Sequence, residues 1–506
     1  MASKPNVVHI YSCFTTGSDS TLTLIEVSIS PGIPTFSVIG LCDSSIRESQ
    51  GRIRSAFKSS GFNMPKGHIT VGISPAYMRK AGTNFDLPMA MGILFCSGQL
   101  YLPPNSRIYA EGELTLGGDI IGTPGACIRL KTVKDMDLDY KIIPDSETSS
   151  AGISGFRGHA ITRLTDLNGL FDGNQYQESS FGFEKDDSPD EFIDISNLKG
   201  QEKTKRALLI SAAGFHNLLL MGSPGCGKTL AGTMLAGIMP KLSAEEISDV
   251  YSMSELVNGE SAKILADRPV RMLAPNITVG KLIGSSVSIT PGELALANHG
   301  ILFADELPLY SSEVIDFLRK PLEERKIHLM KKGILYSFDT NFIFLGTGNP
   351  CKCGLLYEKG DKCRCTPQEI NRYLSKLSGP FLERIDLFSE MRSISGNDMA
   401  YILTGDKGSE ILLYREQVQK CWDIAHRRYG GGYLNGTFPD GDIRDAFRIS
   451  DKSIKYAAEA SDKCFFSARG FTRILRVART IADLKGSEDV TVDDIAEAVQ
   501  YRKRGF

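Results

Sequence analysis

Asn217-Leu218-Leu219-Leu220-Met221-Gly222-Ser223-Pro224-Gly225-Cys226-Gly227-Lys228-Thr229-Leu230 is an apolar run, a glycine-rich turn of the form GxxxxGK[ST], and the start of a helical stretch. Strand, turn and helix in that order make a phosphate-binding loop. Gly222, Gly225 and Gly227 let successive backbone N–H groups curl around phosphate oxygens, and the helix N-terminus adds its partial positive charge. The whole stretch Gly222 to Leu230, including Ser223, Pro224 and Cys226, is read as a nucleotide cradle. Lys228 is placed to reach the β- and γ-phosphates, and the Thr229 hydroxyl to ligate magnesium.

The second half of such a site lies downstream. Ile301-Leu302-Phe303-Ala304-Asp305-Glu306 is a short apolar run ending in two carboxylates, the pattern of a buried parallel strand. Ligands of open α/β sheets bind at that strand end. Asp305 is expected in the magnesium shell, and Glu306 beside the attacking water. A third run, Asn341 to Gly348, ends at Asn349, whose amide is expected to hold the water against the γ-phosphate.

The 506 residues are enough for about three domains, and 42% hydrophobic with 23% charged residues is an ordinary globular balance. A net charge of −2 gives no global basic footprint, so any nucleic-acid surface must be local. The N-terminus lacks the pattern of a signal peptide and no apolar run is long enough to span a bilayer. The expected compartment is a reducing cytoplasm, with the eleven cysteines unpaired.

Three blocks follow from the patterning, and together they predict an α/β protein. Residues 1–171 mix short strands (Val7 to Ser12, Thr21 to Ser30, Thr35 to Ile39, His68 to Ile73) with helices at Ser44 to Ser59 and Pro88 to Gly98. Residues 172–191, rich in Ser, Asp, Glu and Gly, read as a linker. Residues 192–391 carry the nucleotide motifs. Residues 392–506 read as helical, with Ile474, Val477, Ile481 and Leu484 at helical spacing.

Several further stretches accompany these motifs: Lys199-Gly200-Gln201, Pro291-Gly292-Glu293-Leu294, Gly348-Asn349-Pro350-Cys351-Lys352-Cys353-Gly354, Ser378-Gly379-Pro380-Phe381-Leu382-Glu383-Arg384-Ile385-Asp386 and Ser467-Ala468-Arg469-Gly470-Phe471-Thr472-Arg473. In this order the chain resembles the magnesium-chelatase-like AAA+ ATPases of the ComM/YifB family. Arg79-Lys80-Ala81-Gly82-Thr83-Asn84-Phe85-Asp86-Leu87-Pro88 is similar to that family's N-terminal Lon-protease-like (ribosomal S5 domain 2-like) α+β domain. The resemblance implies that domain, an AAA+ P-loop core and a helical lid. It implies an ATP- and magnesium-dependent homo-oligomer, expected to be a hexamer, acting on single-stranded or branched DNA as a branch-migration helicase in recombination or transformation. It places Gln201 at the nucleotide, makes Arg384 an arginine finger and Arg469 the sensor-2 arginine, with Arg473 as second choice. The alternatives are a chelatase-type motor driving metal insertion, or a regulatory ATPase without helicase activity. A Lon-type protease is disfavoured because Asn84 stands where the nucleophilic serine would be. Arg268-Pro269-Val270-Arg271-Met272-Leu273-Ala274-Pro275 lacks the paired histidines typical of the family.

Two local features stand apart. Cys351-Lys352-Cys353 and Cys363-Arg364-Cys365 form two CxC pairs that suit one tetrahedral zinc site, with free thiols or redox pairs as the alternatives. Lys326 to Phe338 alternates around Lys331-Lys332-Gly333 and reads as a β-hairpin. It resembles the pre-sensor hairpin of minichromosome-maintenance helicases. Lys331 and Lys332 are then either a solvated tip or cations that track a DNA backbone.

Overall fold

The computed structural model describes residues 5–172, 177–183, 198, 200–358, 362–391 and 410–502. The N-terminal block is built on an eight-stranded sheet. Its order is Ser179–Ser180, Arg157–Ile161, Tyr140–Pro144, Ile108–Ala110, Val7–Thr15, Ser20–Ser30, His68–Ser74 and Thr35–Ile39. Alternating residues of the central strands face a helix, Asp86–Ser97, that is buried from Asp86 to Cys96. The helix lies close on the sheet because Gly92 has no side chain: a Cβ there would fall 2.4 Å from Val27 Cγ2. The buried Asp86 carboxylate is neutralised by a two-pronged pairing with Arg52.

All four N-terminal strands read from the sequence are present, and the helix begins at Asp86, with Pro88 tolerated in its first turn. The stretch expected to be a linker contains a short strand. Ser179–Ser180 pairs antiparallel with Arg157 and Gly158, so part of that stretch extends the sheet. Residues 173–176 and 184–191 of it lie outside the described residues, as do 192–197 and Lys199.

The nucleotide motifs sit on a second sheet of five parallel strands, ordered Val270–Leu273, Ile301–Ala304, Ile343–Gly348, Leu218–Gly222 and Leu387–Met391. Ile301–Ala304 and Leu218–Gly222 are nearly continuous apolar runs, as expected for strands covered on both faces. Asn217 locks three of them. Its side-chain amide donates to the Arg384 carbonyl (3.0 Å), its Oδ1 accepts from Phe344 N–H (2.9 Å), and its own N–H donates to Asp386 Oδ2 (2.8 Å). The C-terminal helices Glu410–Tyr429, Asp451–Cys464, Ala468–Leu484 and Val492–Gln500 share one apolar core with Glu202–Gly214 and Lys228–Ile238. No helix among the described residues is long and apolar enough to cross a membrane.

Among the described residues, two seams join the N-terminal block to the five-stranded block. In one, the core helix Ala244–Asn258 sends Glu255 to Cys127 N–H (3.1 Å) and Ser150 Oγ (2.8 Å), and Asp249 to Lys131 Nζ (2.8 Å). In the other, the hairpin Lys326–Lys331 and Ile334–Asp339 leans on residues 14–18. Ser337 exchanges backbone hydrogen bonds with Thr16 (3.1 Å) and Ser18 (2.8 Å), and Phe14 meets Tyr336 edge to face. Gly17 (φ +96°) permits this approach, since a Cβ there would lie 2.0 Å from the Ser337 carbonyl oxygen.

Candidate active site

Strand Leu218–Gly222 delivers the chain into the glycine-rich turn, and helix Lys228–Ile238 receives it. Gly225 (φ +77°) and Gly227 (φ +91°) take the left-handed conformation that side chains disfavour. Gly222 is needed for space: a Cβ there would lie 2.6 Å from the Met391 carbonyl oxygen. Pro224 and Gly225 are exposed, Cys226 is buried beneath them, and Leu230 is half-buried in the first helical turn. The Ser223 hydroxyl is buried without a partner. Lys228 Nζ donates to the carbonyls of Gly222 (2.8 Å) and Ser223 (2.9 Å) and to Asn349 Oδ1 (3.1 Å). A buried hydroxyl unpaired among the described residues, a glycine-rich turn at a helix N-terminus and a tethered ammonium fit an oligophosphate. Leu198 packs near Gly227, and Gln201 is buried at the head of helix Glu202–Gly214.

The magnesium candidates are already in contact: Thr229 Oγ1 donates to Asp305 Oδ2 at 3.0 Å. The other Asp305 oxygen accepts from the Thr347 hydroxyl, whose oxygen accepts from the Glu306 N–H (3.0 Å). Thr347 therefore sets both acids, a role the sequence reading missed; its signal was its place on the strand two residues before Asn349. Glu306 has φ +52°, so the chain turns sharply there and leaves the carboxylate exposed beyond the strand end. A left-handed non-glycine residue is uncommon and is concentrated at functional turns.

Arg384 and Arg469 meet on one acid that sequence reasoning also missed. Glu323 Oε2 accepts from Arg384 (2.6 Å), and Glu323 Oε1 pairs with Arg469 (3.0 Å). Burial alone would raise the Glu323 carboxyl, but the two guanidiniums hold it below its ordinary value. Arg384 is buried, also donates to the Pro380 carbonyl, and has its Nε unpaired; Arg469 is largely exposed. Among the described residues neither arginine hydrogen-bonds to the phosphate loop. Arg473 is committed elsewhere, in an ion pair with buried Asp386.

Cys351, Cys353, Cys363 and Cys365 converge, with all four sulfurs within 4.8 Å of one another. Cys351 lies 3.3 Å from Cys353 and 3.7 Å from Cys363, and Cys353 lies 3.6 Å from Cys363. Four thiolates around zinc at about 2.3 Å have sulfurs roughly 3.8 Å apart, so the set fits a tetrahedral ion. The N–H of Leu355, with Cys351, pulls the Cys353 thiol down to about 6, while the neighbouring sulfurs push Cys363 and Cys365 up, so the crowded thiols do not all ionise together without a cation between them. This loop rests on the phosphate loop: a Cβ on Gly354 would lie 2.5 Å from Pro224 Cδ.

The hairpin turn is one residue tighter than expected. Lys331 pairs with Ile334 inside the ladder, and only Lys332 (φ +47°) and Gly333 (φ +81°) form the turn. Upstream, Arg268 and Arg271 are structural, each pairing with an acid: Arg268 with Glu246 (2.9 Å) and Arg271 with Glu293 (2.7 Å). Asn84 Nδ2 is buried, donating to the Cys13 carbonyl (2.9 Å).

Three family models match stretches of the chain. Residues 194–399 match the family model described as "Magnesium chelatase, subunit ChlI". Residues 25–147 match "Subunit ChlI of Mg-chelatase", and 410–502 match "Magnesium chelatase, subunit ChlI C-terminal". The chain is similar to the competence protein ComM of Haemophilus influenzae, with 33% identity over 97% of each chain. It is similar to the uncharacterized protein YifB of Salmonella typhimurium, with 32% identity over 94% of this chain and 93% of that one. The magnesium-chelatase 38 kDa subunit of Rhodobacter capsulatus is 27% identical over 35% of this chain and 53% of its own length.

Proposed function

The chain belongs to the magnesium-chelatase-like AAA+ family of ComM and YifB, and on that premise we propose that it is an ATP-hydrolysing motor that acts on DNA as a ring-shaped branch-migration helicase. The observation that carries the hydrolytic part is the chain of contacts from Thr229 through Asp305 and Thr347 to Glu306. Thr229 and Asp305 would hold magnesium, which when bound neutralises charge on the phosphate oxygens. Lys228 Nζ exchanges the loop carbonyls for phosphate, Asn349 fixes the position of the ammonium and of the attacking water, and Glu306 polarises that water. Arg384 trades Glu323 for the nucleotide of a neighbouring subunit, and Arg469 senses that exchange from the lid. Gln201 and Leu198 line the approach to the loop. The four cysteines would hold a structural zinc, which when bound would stiffen the segment resting on Pro224.

The DNA part rests on the hairpin, which ends in Lys331 and Lys332 with the latter exposed, and on the whole-chain similarity to ComM rather than the partial similarity to a magnesium-chelatase subunit. Turnover measured with single-stranded, duplex and four-way-junction DNA tests it. DNA is expected to raise turnover, and replacing Lys331 and Lys332 by alanine to remove that response while nucleotide affinity stays. The double variant should also flatten the slope of log affinity against log salt by roughly 1.4–1.8. Turnover indifferent to every DNA form would favour the chelatase-type reading.

A further inference from the structure

We propose that loop 75–80 of the N-terminal block is a nucleic-acid contact that completes the hairpin tip, with Tyr77 stacking on a base of a single strand and Arg79 contacting its backbone phosphate. This rests on the DNA reading above and adds a second element to it. The loop joins strand His68–Ser74 to the segment that enters helix Asp86–Ser97, and it meets the hairpin tip directly: Arg79 Nη1 donates to the Lys332 carbonyl oxygen at 3.2 Å. Three cations, Arg79, Lys331 and Lys332, therefore share one place although they come from distant parts of the chain. None of them is in an ion pair with a carboxylate among the described residues; the hairpin's own ion pair, Lys326 with Asp339 at 3.2 Å, is at its far end. In a chain of net charge −2, a cluster of unpaired cations is a local exception.

The loop is built rather than loose. Lys80 is fully buried, and its ammonium donates to the carbonyls of Pro75 and Met78, the latter at 2.8 Å. Its backbone is fixed on both sides, Lys80 N–H to the Leu41 carbonyl (2.9 Å) and Asp43 N–H to the Lys80 carbonyl (3.1 Å). Desolvation lowers the pKa of that lysine, so the fold bears a cost to hold these carbonyls inward. With the carbonyls of 75 and 78 turned in, Tyr77 is left 81% exposed, two residues from Arg79. On the hairpin, Met330 (67% exposed) and Leu335 (51%) stand opposite each other one step below the tip. Exposed aromatic and apolar groups interleaved with unpaired cations suit a single strand, whose bases stack while its phosphates are neutralised. The contacts of Ser337 with Thr16 and Ser18 hold hairpin and N-terminal block together, so the two halves of the surface keep their register.

The test is fluorescence anisotropy of a labelled oligothymidylate titrated with the full chain, repeated across salt concentrations, with melting temperatures confirming that each variant folds. Tyr77→Ala should weaken binding about 5- to 150-fold with the salt slope unchanged, and Tyr77→Phe should bind like the parent. Arg79→Ala should weaken binding and flatten the slope by about 0.7, and Arg79→Lys should restore the slope. If the parent binds and both alanine variants match it in affinity and slope, the loop is no contact site, while the hairpin reading stands or falls on its own double variant. If Tyr77→Phe loses as much as Tyr77→Ala, stacking is wrong. If the parent binds no DNA in any form, both this inference and the DNA reading are overturned.

Discussion

At the scale of single residues, the site is a set of short polar contacts. Asp305 satisfies both carboxylate oxygens with the hydroxyls of Thr229 and Thr347, and Asn349 with two backbone carbonyls holds the Lys228 ammonium. Thr347→Ala removes the group that joins Asp305 to the Glu306 N–H, and is expected to lower kcat about 10-fold or more with a smaller change in ATP affinity, read by steady-state kinetics. Thr347→Ser should recover most of it. The cysteines make an independent prediction: protein prepared without chelators should contain about one zinc per chain by elemental analysis. Cys351→Ser should release it and weaken ATP binding without abolishing it, because Gly354 rests on Pro224. Metal-free parent protein would remove the zinc. The glycine-rich loop, the two acids, Asn349 and the cysteine pairs could be proposed from the sequence because each is a local pattern, and the structure brings them together. Thr347 and Glu323 could not, because their roles arise from partners 41 and 61 residues away.

At the scale of elements, strand and helix positions followed from hydrophobic period, but the contacts between elements did not. The hairpin was readable from its alternation and its Lys-Gly turn; its docking on residues 14–18 was not, since nothing in either segment marks the other. The strand within the expected linker was not legible for a related reason: Ser179–Ser180 is polar because it lies at a sheet edge in solvent, and a short edge strand reads like a loop. The core–lid contact has a pH signature. His216, fully buried, pairs through Nε2 with Thr480 Oγ1 on helix Ala468–Leu484 (2.8 Å), and burial lowers its imidazole to about 4. Unfolded, it titrates near 6.5. Between those values the unfolded chain binds a proton that the folded chain refuses. The stability this neutral histidine permits is present above about 6.5 and declines as pH falls toward 4. A glutamine there does not titrate, so urea unfolding should show the parent's advantage over His216→Gln shrinking by about 2 kcal/mol between pH 7.5 and 5. A difference independent of pH would contradict it.

At the scale of the whole molecule, one chain carries the glycine-rich loop and its acids, while Arg384 and Arg469 meet on Glu323 and, among the described residues, neither hydrogen-bonds to that loop. Such a division is what shared sites between subunits require. Mixing Arg384→Ala chains with Lys228→Ala chains should therefore recover part of the activity, since arginine fingers contribute up to about 10³–10⁵ in rate. Mixed oligomers with no recovery would argue for a site complete within one chain. The family was visible in the sequence because the motifs recur in a fixed order, whereas the seams through Glu255 and through the hairpin were not, being made by residues with no pattern of their own. That the molecule is a hydrolysing motor is tested most directly by Glu306→Gln, with ATP binding and turnover measured on the same preparation. The variant should bind ATP like the parent and turn over at least ~100-fold more slowly, because the residue that polarises water is lost while Lys228 and Thr229 remain; turnover near the parent's rate would contradict the assignment of the site.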